Sequence, residues 1–176
     1  MQVSFKFKKV FINLFVALLC FSHLNAHAEL ITGAFGIKLG EYIPAWTEGQ
    51  EEAELSDFKD DFFDRVEFLV LPYSKRIYRI EGIKIVQTQC GYGKERNALI
   101  DTLREKYGKY EQEIGKDWRA IYKFQAGYKD REVSVSCWAE GDDWLLVVAY
   151  RDSELAKLLE KEKKMIEKEK IDASKL

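Results

Sequence analysis

The sequence predicts an α+β domain in which an antiparallel five- to six-stranded sheet carries one packed helix and a charged C-terminal helix. Three observations predict this class. Apolar residues recur at helical spacing between Lys94 and Tyr107, three strand-like segments follow in succession, and the chain ends in a segment rich in glutamate and lysine. The composition, 47% hydrophobic and 33% charged over 176 residues, is typical of a globular protein.

The first half of the folded part contains three predicted strands. Ala34–Leu39 is a short apolar segment between glycines, and Arg65–Leu71 ends at a proline. In the third, Ile77–Gln87, the apolar positions change from even to odd numbers around Gly82. Because strand side chains alternate between two faces, this change predicts a β-bulge or a sharp bend at Gly82.

The second half begins with a helix and continues as an antiparallel meander. Leucine and isoleucine at helical spacing predict the helix Lys94–Tyr107, with Gly108 as its C-cap. Trp118–Gln125, Glu132–Trp138 and Trp144–Tyr150 then read as strands separated by glycine-containing turns. The last of these is apolar on both faces, which places it centrally in the sheet.

Asp152 or Ser153 is predicted to cap the final helix. Its leucines can dock against the domain, but Glu160–Lys170 consists almost entirely of charged residues. We expect this half to project into solvent, with a partner-binding helix as the alternative.

The N-terminus has the three parts of a secretory signal peptide. Met1–Lys9 carries three lysines, Val10–Phe21 is apolar, and Ala26-His27-Ala28 provides small residues for signal peptidase. The apolar run is too short for a transmembrane helix, and no later segment is long enough. We predict cleavage after Ala28 and delivery to the periplasm or beyond the cell.

The predicted organisation is a signal peptide at 1–28, one globular domain at 29–151, and a C-terminal helix and tail at 152–176. The mature part carries 25 basic and 30 acidic residues, a net charge of −5 that argues against nucleic acid as a partner. Both histidines, His23 and His27, precede the cleavage point. Catalytic sites that need an imidazole, and histidine-containing metal sites, are therefore excluded from the mature protein.

Two cysteines follow the signal peptide, Cys90 and Cys137. An even number of cysteines in an exported chain predicts a structural disulfide, with Cys137 pointing into the core. The alternative, a redox pair, normally shows a short Cys-x-x-Cys spacing that is absent here.

Two surface features are candidates for binding. The acidic stretch Glu48–Asp64 carries eight acids and one lysine, but its spacing does not match a calcium loop and its phenylalanines suit core positions. The aromatic residues near loops and strand ends have two alternative roles: they form an exposed recognition patch, or they cap the core. These aromatic residues are Tyr42, Trp46, Tyr73, Tyr92, Tyr128 and Trp138.

Several short motifs occur in a fixed order along the chain. FGIKLG at Phe35–Gly40 is followed by Cys90, by KYG at Lys106–Gly108, by Cys137 and by the terminal Asp172–Leu176. In this pattern the chain resembles a group of uncharacterised exported bacterial proteins. The resemblance implies a bacterial, periplasmic setting and no particular activity.

These observations predict an exported, non-enzymatic binding or envelope-associated protein that acts through its aromatic residues and acidic N-terminal region. The partner would be an envelope protein or a glycan, and no cofactor or metal is expected; the oligomeric state is not predicted. The alternative is a histidine-free hydrolase that cleaves cell-wall glycan with a pair of carboxyl groups. That alternative requires two carboxyls in a cleft, at least one with a raised pKa.

Overall fold

The computed structural model describes residues 29–44, 46, 52–55, 60–87, 93–114, 120–125, 127 and 129–173. Its helices are α1 (Lys94–Tyr107) and α2 (Ser153–Ala173). Its strands are β1 (Gly33–Ala34), β2 (Ile37–Lys38), β3 (Glu52–Glu54), β4 (Arg65–Val70), β5 (Ile77–Val86), β6 (Tyr110–Ile114), β7 (Ala120–Phe124), β8 (Arg131–Glu140) and β9 (Asp143–Asp152). The described chain is therefore α+β, as predicted.

The strands β3 to β9 form one antiparallel sheet in the order β3-β4-β5-β9-β8-β7-β6. The predicted meander is confirmed as β7, β8 and β9, and β9 lies at the centre of the sheet. Its side chains are buried on both faces because Leu146 and Val148 belong to one apolar cluster and Leu145 and Val147 to another. A continuous apolar run is what a strand covered on both faces requires.

The main core lies on one side of the sheet, which we call the inner face. Helix α1 contributes Ile100, Leu103 and Tyr107 to it, opposite apolar side chains of β7 and β8 such as Phe124 and Val135. The helix has the predicted ends, and Gly108 follows it with a positive φ of 85°. The other side, the outer face, carries a smaller apolar cluster.

The prediction of five or six strands was too low. The sheet has seven because β3 and β6 form its two edges, and a separate hairpin pairs β1 with β2. Both edge strands are glutamate-rich, and β6 is exposed over most of its length. An edge strand needs little apolar alternation, so its sequence carries a weak strand signal.

The predicted single strand Ala34–Leu39 is wrong. The chain turns back within it because Phe35 and Gly36 both have positive φ, 54° and 79°, which is the backbone of a tight hairpin turn. The turn sets Phe35 on the inner face, where its ring packs edge-on against Phe63 at a centroid distance of 5.3 Å.

The predicted bulge or bend at Gly82 is also wrong. Gly82 pairs in continuous register with Val66 and Val148, and the β4–β5 register shifts instead between Leu69 and Val70. The apolar residues of β5 occur first at even and then at odd positions because this strand is buried on both faces. Gly82 instead leaves room for the ring of Phe35, because a Cβ at this position would lie 2.6 Å from Cζ of Phe35.

Helix α2 begins directly after β9. Asp152 caps it, because Oδ1 accepts a hydrogen bond from the Leu155 backbone N–H at 3.0 Å. The charged half of the helix does not simply project into solvent as expected, since Glu162 and Ile166 are buried. Contacts with the β4–β5 loop hold this half against the end of the sheet.

Candidate functional site

The structure separates the predicted aromatic patch into buried and exposed members. Trp46 is 7% exposed in the main core, and Trp138 is half-buried against the outer-face cluster. Tyr42 and Tyr73 are 58% and 49% exposed. Tyr92 and Tyr128 lie outside the described residues. Within the described chain, the patch therefore reduces to two tyrosines.

Backbone hydrogen bonds bring the segments that carry these two tyrosines together. Tyr42 forms an isolated antiparallel bridge with Arg76, and the neighbouring Ile43 N–H donates to the Lys75 carbonyl at 2.9 Å. Tyr73 lies three residues before Arg76 in the loop between β4 and β5. We call the exposed side chains of Tyr42, Tyr73 and Arg76 the tyrosine surface.

Glu162 of helix α2 holds the loop under the tyrosine surface. Its Oε2 accepts hydrogen bonds from the backbone N–H groups of Tyr73 and Ser74, both at 3.0 Å, although it is 89 residues from Tyr73 in sequence. The residue is 6% exposed. A carboxylate with two such bonds fixes the loop backbone, so Tyr73 is presented from a rigid support.

A second site lies on the outer face, where glutamates of three neighbouring strands meet. Glu67 of β4 stands directly opposite Glu81 of β5, and Glu52 of β3 is hydrogen-bonded to Glu67. Arg65 Nε lies 2.7 Å from Oε1 of Glu67, and Arg79 forms an ion pair with Glu81. We call these five residues the carboxylate cluster.

The pKa of Glu67 is raised from 4.5 to about 7. Burial is the largest cause, the hydrogen bond with Glu52 and the negative charges of Glu52 and Glu81 act in the same direction, and Arg65 opposes them. Glu67 can therefore hold a proton near neutral pH. Sequence reasoning missed this group because three glutamates far apart in the chain carry no local pattern.

The described part of the acidic stretch has structural roles. Oδ1 of Asp60 accepts hydrogen bonds from the backbone N–H groups of Phe62 and Phe63, at 2.7 and 3.0 Å. Asp64 accepts one from the Ile85 N–H at 2.7 Å. Phe62 and Phe63 pack against the main core, which confirms their predicted role. Among the described residues, no group of His, Cys, Asp and Glu is arranged to hold a metal ion.

Cys137 is half-buried against the main core, as its position on β8 predicted. Cys90 lies outside the described residues, so the Cys90–Cys137 disulfide stays a prediction. The placement of the flanking elements favours it. Strand β5 ends at Val86, beside Trp144 of β9, and Trp144 pairs with Ala139 only two residues after Cys137. The connection from β5 to α1 therefore starts at the same end of the sheet as Cys137, two strands away from it.

No protein-family model matches the chain, and no curated protein and no solved structure is significantly similar to it. Neither α1 nor α2, the helices of the described residues, is long and apolar enough to cross a membrane. The tyrosine surface and the carboxylate cluster are therefore the two candidate sites of this protein.

Proposed function

We propose that this protein is an exported, non-enzymatic binding protein of the cell envelope, and that the tyrosine surface contacts its partner. The observation that carries the proposal is the support of this surface by Glu162. Tyrosine and arginine are enriched among residues that dominate binding energy, and a rigid loop loses little conformational entropy on binding. Two exposed tyrosines and Arg76 on a fixed backbone meet both conditions.

The contacts of Glu29 support export with cleavage after Ala28. The backbone nitrogen of Glu29 donates to the Lys106 carbonyl at 3.0 Å, and its carboxylate lies 3.4 Å from Lys106 Nζ. Cleavage after Ala28 would convert this nitrogen into an ammonium group at the C-terminal end of α1. A positive charge there is favourable because the carbonyl end of a helix is negative.

Site-specific photocrosslinking in intact cells tests the binding proposal. A photoreactive amino acid is placed at Tyr42, at Tyr73, or at Ile114, a control position that is 69% exposed on the edge strand β6. We expect one and the same envelope protein to be captured from positions 42 and 73 and not from 114. Equal capture from all three positions, or no capture from either tyrosine position, would overturn the proposal.

The same experiment needs a binding-deficient variant. Tyr42→Ala combined with Tyr73→Ala should abolish the capture from a photoreactive residue at Arg76, while the urea midpoint changes little because both rings are exposed.

N-terminal sequencing of the protein recovered from the periplasm tests the export part of the proposal, and the sequence should begin at Glu29. A chain that stays in the cytosol with Met1 intact would contradict the export part of the proposal.

One observation favours the alternative function, a hydrolase that acts on cell-wall glycan. Glu67, with its pKa near 7, has the proton affinity of a general acid. However, glycosidases hold their two carboxyls about 5–10 Å apart with substrate between them, whereas Glu67 is hydrogen-bonded to Glu52. Release of soluble fragments from purified peptidoglycan, lost on Glu67→Gln, would replace our first proposal with this one.

A further inference from the structure

We propose that the outward side of helix α2 docks on an anionic lipid surface. The inference goes beyond the proposed function because it concerns a different part of the molecule and a different kind of partner. It depends on a row of four exposed lysines, which we call the lysine stripe: Lys157, Lys161, Lys164 and Lys168.

The stripe follows from the helical spacing. At 100° per residue its members fall within about 60° of one another, over about 16 Å of helix length. The residues that α2 buries, Glu162 and Ile166, lie on the opposite side of the helix. The lysine stripe therefore faces directly away from the domain, where a flat partner can reach all four ammonium groups.

Two apolar side chains border the stripe. Leu158 and Met165 are 39% and 36% exposed and lie seven residues apart on one flank. Cationic heads on long alkyl stems beside exposed apolar groups are typical of surfaces that contact lipid headgroups.

Helix α2 carries six lysines and six acids, but the acids lie beside the stripe or toward the buried side, so the charged residues of its outermost arc are all lysines. Glu154 forms an ion pair with Lys157, and the exposed acids Glu160, Glu167 and Asp172 flank the stripe. Lys161, Lys164 and Lys168 are the other exposed lysines of the stripe and carry the rest of its positive charge. Lys161 and Lys164, at the middle of the stripe, are therefore the residues to substitute.

The charge of the domain is arranged to orient it on such a surface. Asp60, Asp61 and Asp64 lie at the start of β4, whereas α2 contacts the loop that follows the end of β4 through Glu162 and Tyr73. The six-residue strand separates these two ends by about 20 Å. An anionic surface that approaches from the α2 side therefore meets the lysine stripe and is kept away from these aspartates, although the protein as a whole is acidic.

Vesicle flotation tests the proposal, with protein purified after the cell has processed it. Vesicles of phosphatidylglycerol and phosphatidylcholine are compared with vesicles of phosphatidylcholine alone, at low salt. We expect binding to the anionic vesicles only, and release by added salt because the attraction is screened. Each lysine near an anionic surface contributes about fivefold to the partition constant.

The decisive comparison uses two variants of equal net charge. Lys161→Glu with Lys164→Glu should lower the partition constant by at least about 25-fold. The matched control, Lys94→Glu with Lys109→Glu, changes two lysines that are exposed elsewhere on the domain and should retain binding within a few fold. All four side chains are exposed, so the fold is retained, which circular dichroism verifies.

Three results would overturn the proposal: no binding to anionic vesicles at low salt, equal binding to neutral vesicles, or equal losses in the two variants. The last result would show that net charge, and not the lysine stripe, controls binding. The Tyr42→Ala and Tyr73→Ala variant should bind vesicles normally, which separates this inference from the proposed function.

Discussion

The carboxylate cluster should make the stability of this protein fall as the pH rises from about 5 to 8. Glu67 has a pKa of about 7 in the folded protein and an ordinary value of 4.5. Between these values the folded state holds more protons than the unfolded state. The free energy of unfolding therefore decreases with pH in this range, and the favourable contribution is lost as the pH passes through 7.

The magnitude follows from the same shift. A rise from 4.5 to about 7 corresponds to about 3 kcal/mol of linked free energy. The side chain of Glu67 is 15% exposed, so solvent screening reduces the effect. We expect about 1–2 kcal/mol between pH 5 and pH 8.5. Both histidines precede Glu29, so no imidazole contributes within the described chain.

Glu67→Gln isolates this contribution. Glutamine keeps the donor to Glu52 but cannot ionise, so the variant should match the wild type at pH 5 and exceed it by about 1–2 kcal/mol at pH 8.5. Urea denaturation at both pH values measures the difference. Glu111→Gln, at an exposed position on the edge strand β6, is the matched control and should show the same pH dependence as the wild type.

Glu67 is not the source of the pH dependence if the stability difference between wild type and Glu67→Gln is the same at pH 5 and pH 8.5. The prediction is also wrong if the variant is the less stable protein at high pH. That result would mean that the attraction between Arg65 and ionised Glu67 outweighs burial and the neighbouring carboxylates.

Three further predictions concern stability. Glu162→Ala should lower the free energy of unfolding by about 2–3 kcal/mol in urea because two part-buried N–H groups lose their acceptor, whereas Glu160→Ala at an exposed position should have little effect. Gly82→Ala should cost about 1–3 kcal/mol in thermal denaturation, since its Cβ would lie 2.6 Å from a ring atom of the β1–β2 turn; unchanged stability would contradict this packing. Cys137→Ser should cost up to about 4 kcal/mol, and the wild-type protein should have an intact mass two hydrogens below that of its reduced form; two thiols that react with an alkylating agent before reduction would rule the disulfide out.

Much of the fold could be predicted because its signals are local. The 3.6-residue spacing of apolar side chains and a following glycine define α1, whose ends match the prediction at Lys94 and Tyr107. The cap of α2 at Asp152 and the central position of β9 were also predicted correctly from local sequence. The β1–β2 hairpin was missed because a positive φ at Phe35 is unusual for an aromatic residue and depends on packing against Gly82.

The candidate sites were only partly visible in the sequence. Tyr42 and Tyr73 belonged to a predicted patch, but their residue types could not separate them from Trp46, which is buried. Whether an aromatic ring is exposed depends on what the rest of the chain places over it. The sequence also gave no indication that Glu162 supports Tyr73, since the contact joins segments far apart in the chain.

The amino-acid sequence alone determined the helix α1, the antiparallel meander and the cap of α2, because each depends on residues within a few positions of one another. Only the tertiary structure decided that Glu52, Glu67 and Glu81 meet on one face and that Glu162 reaches the β4–β5 loop. Those contacts depend on strand order and register. Register is set by how whole strands pair, including the shift at Val70, and no short stretch of sequence contains that information.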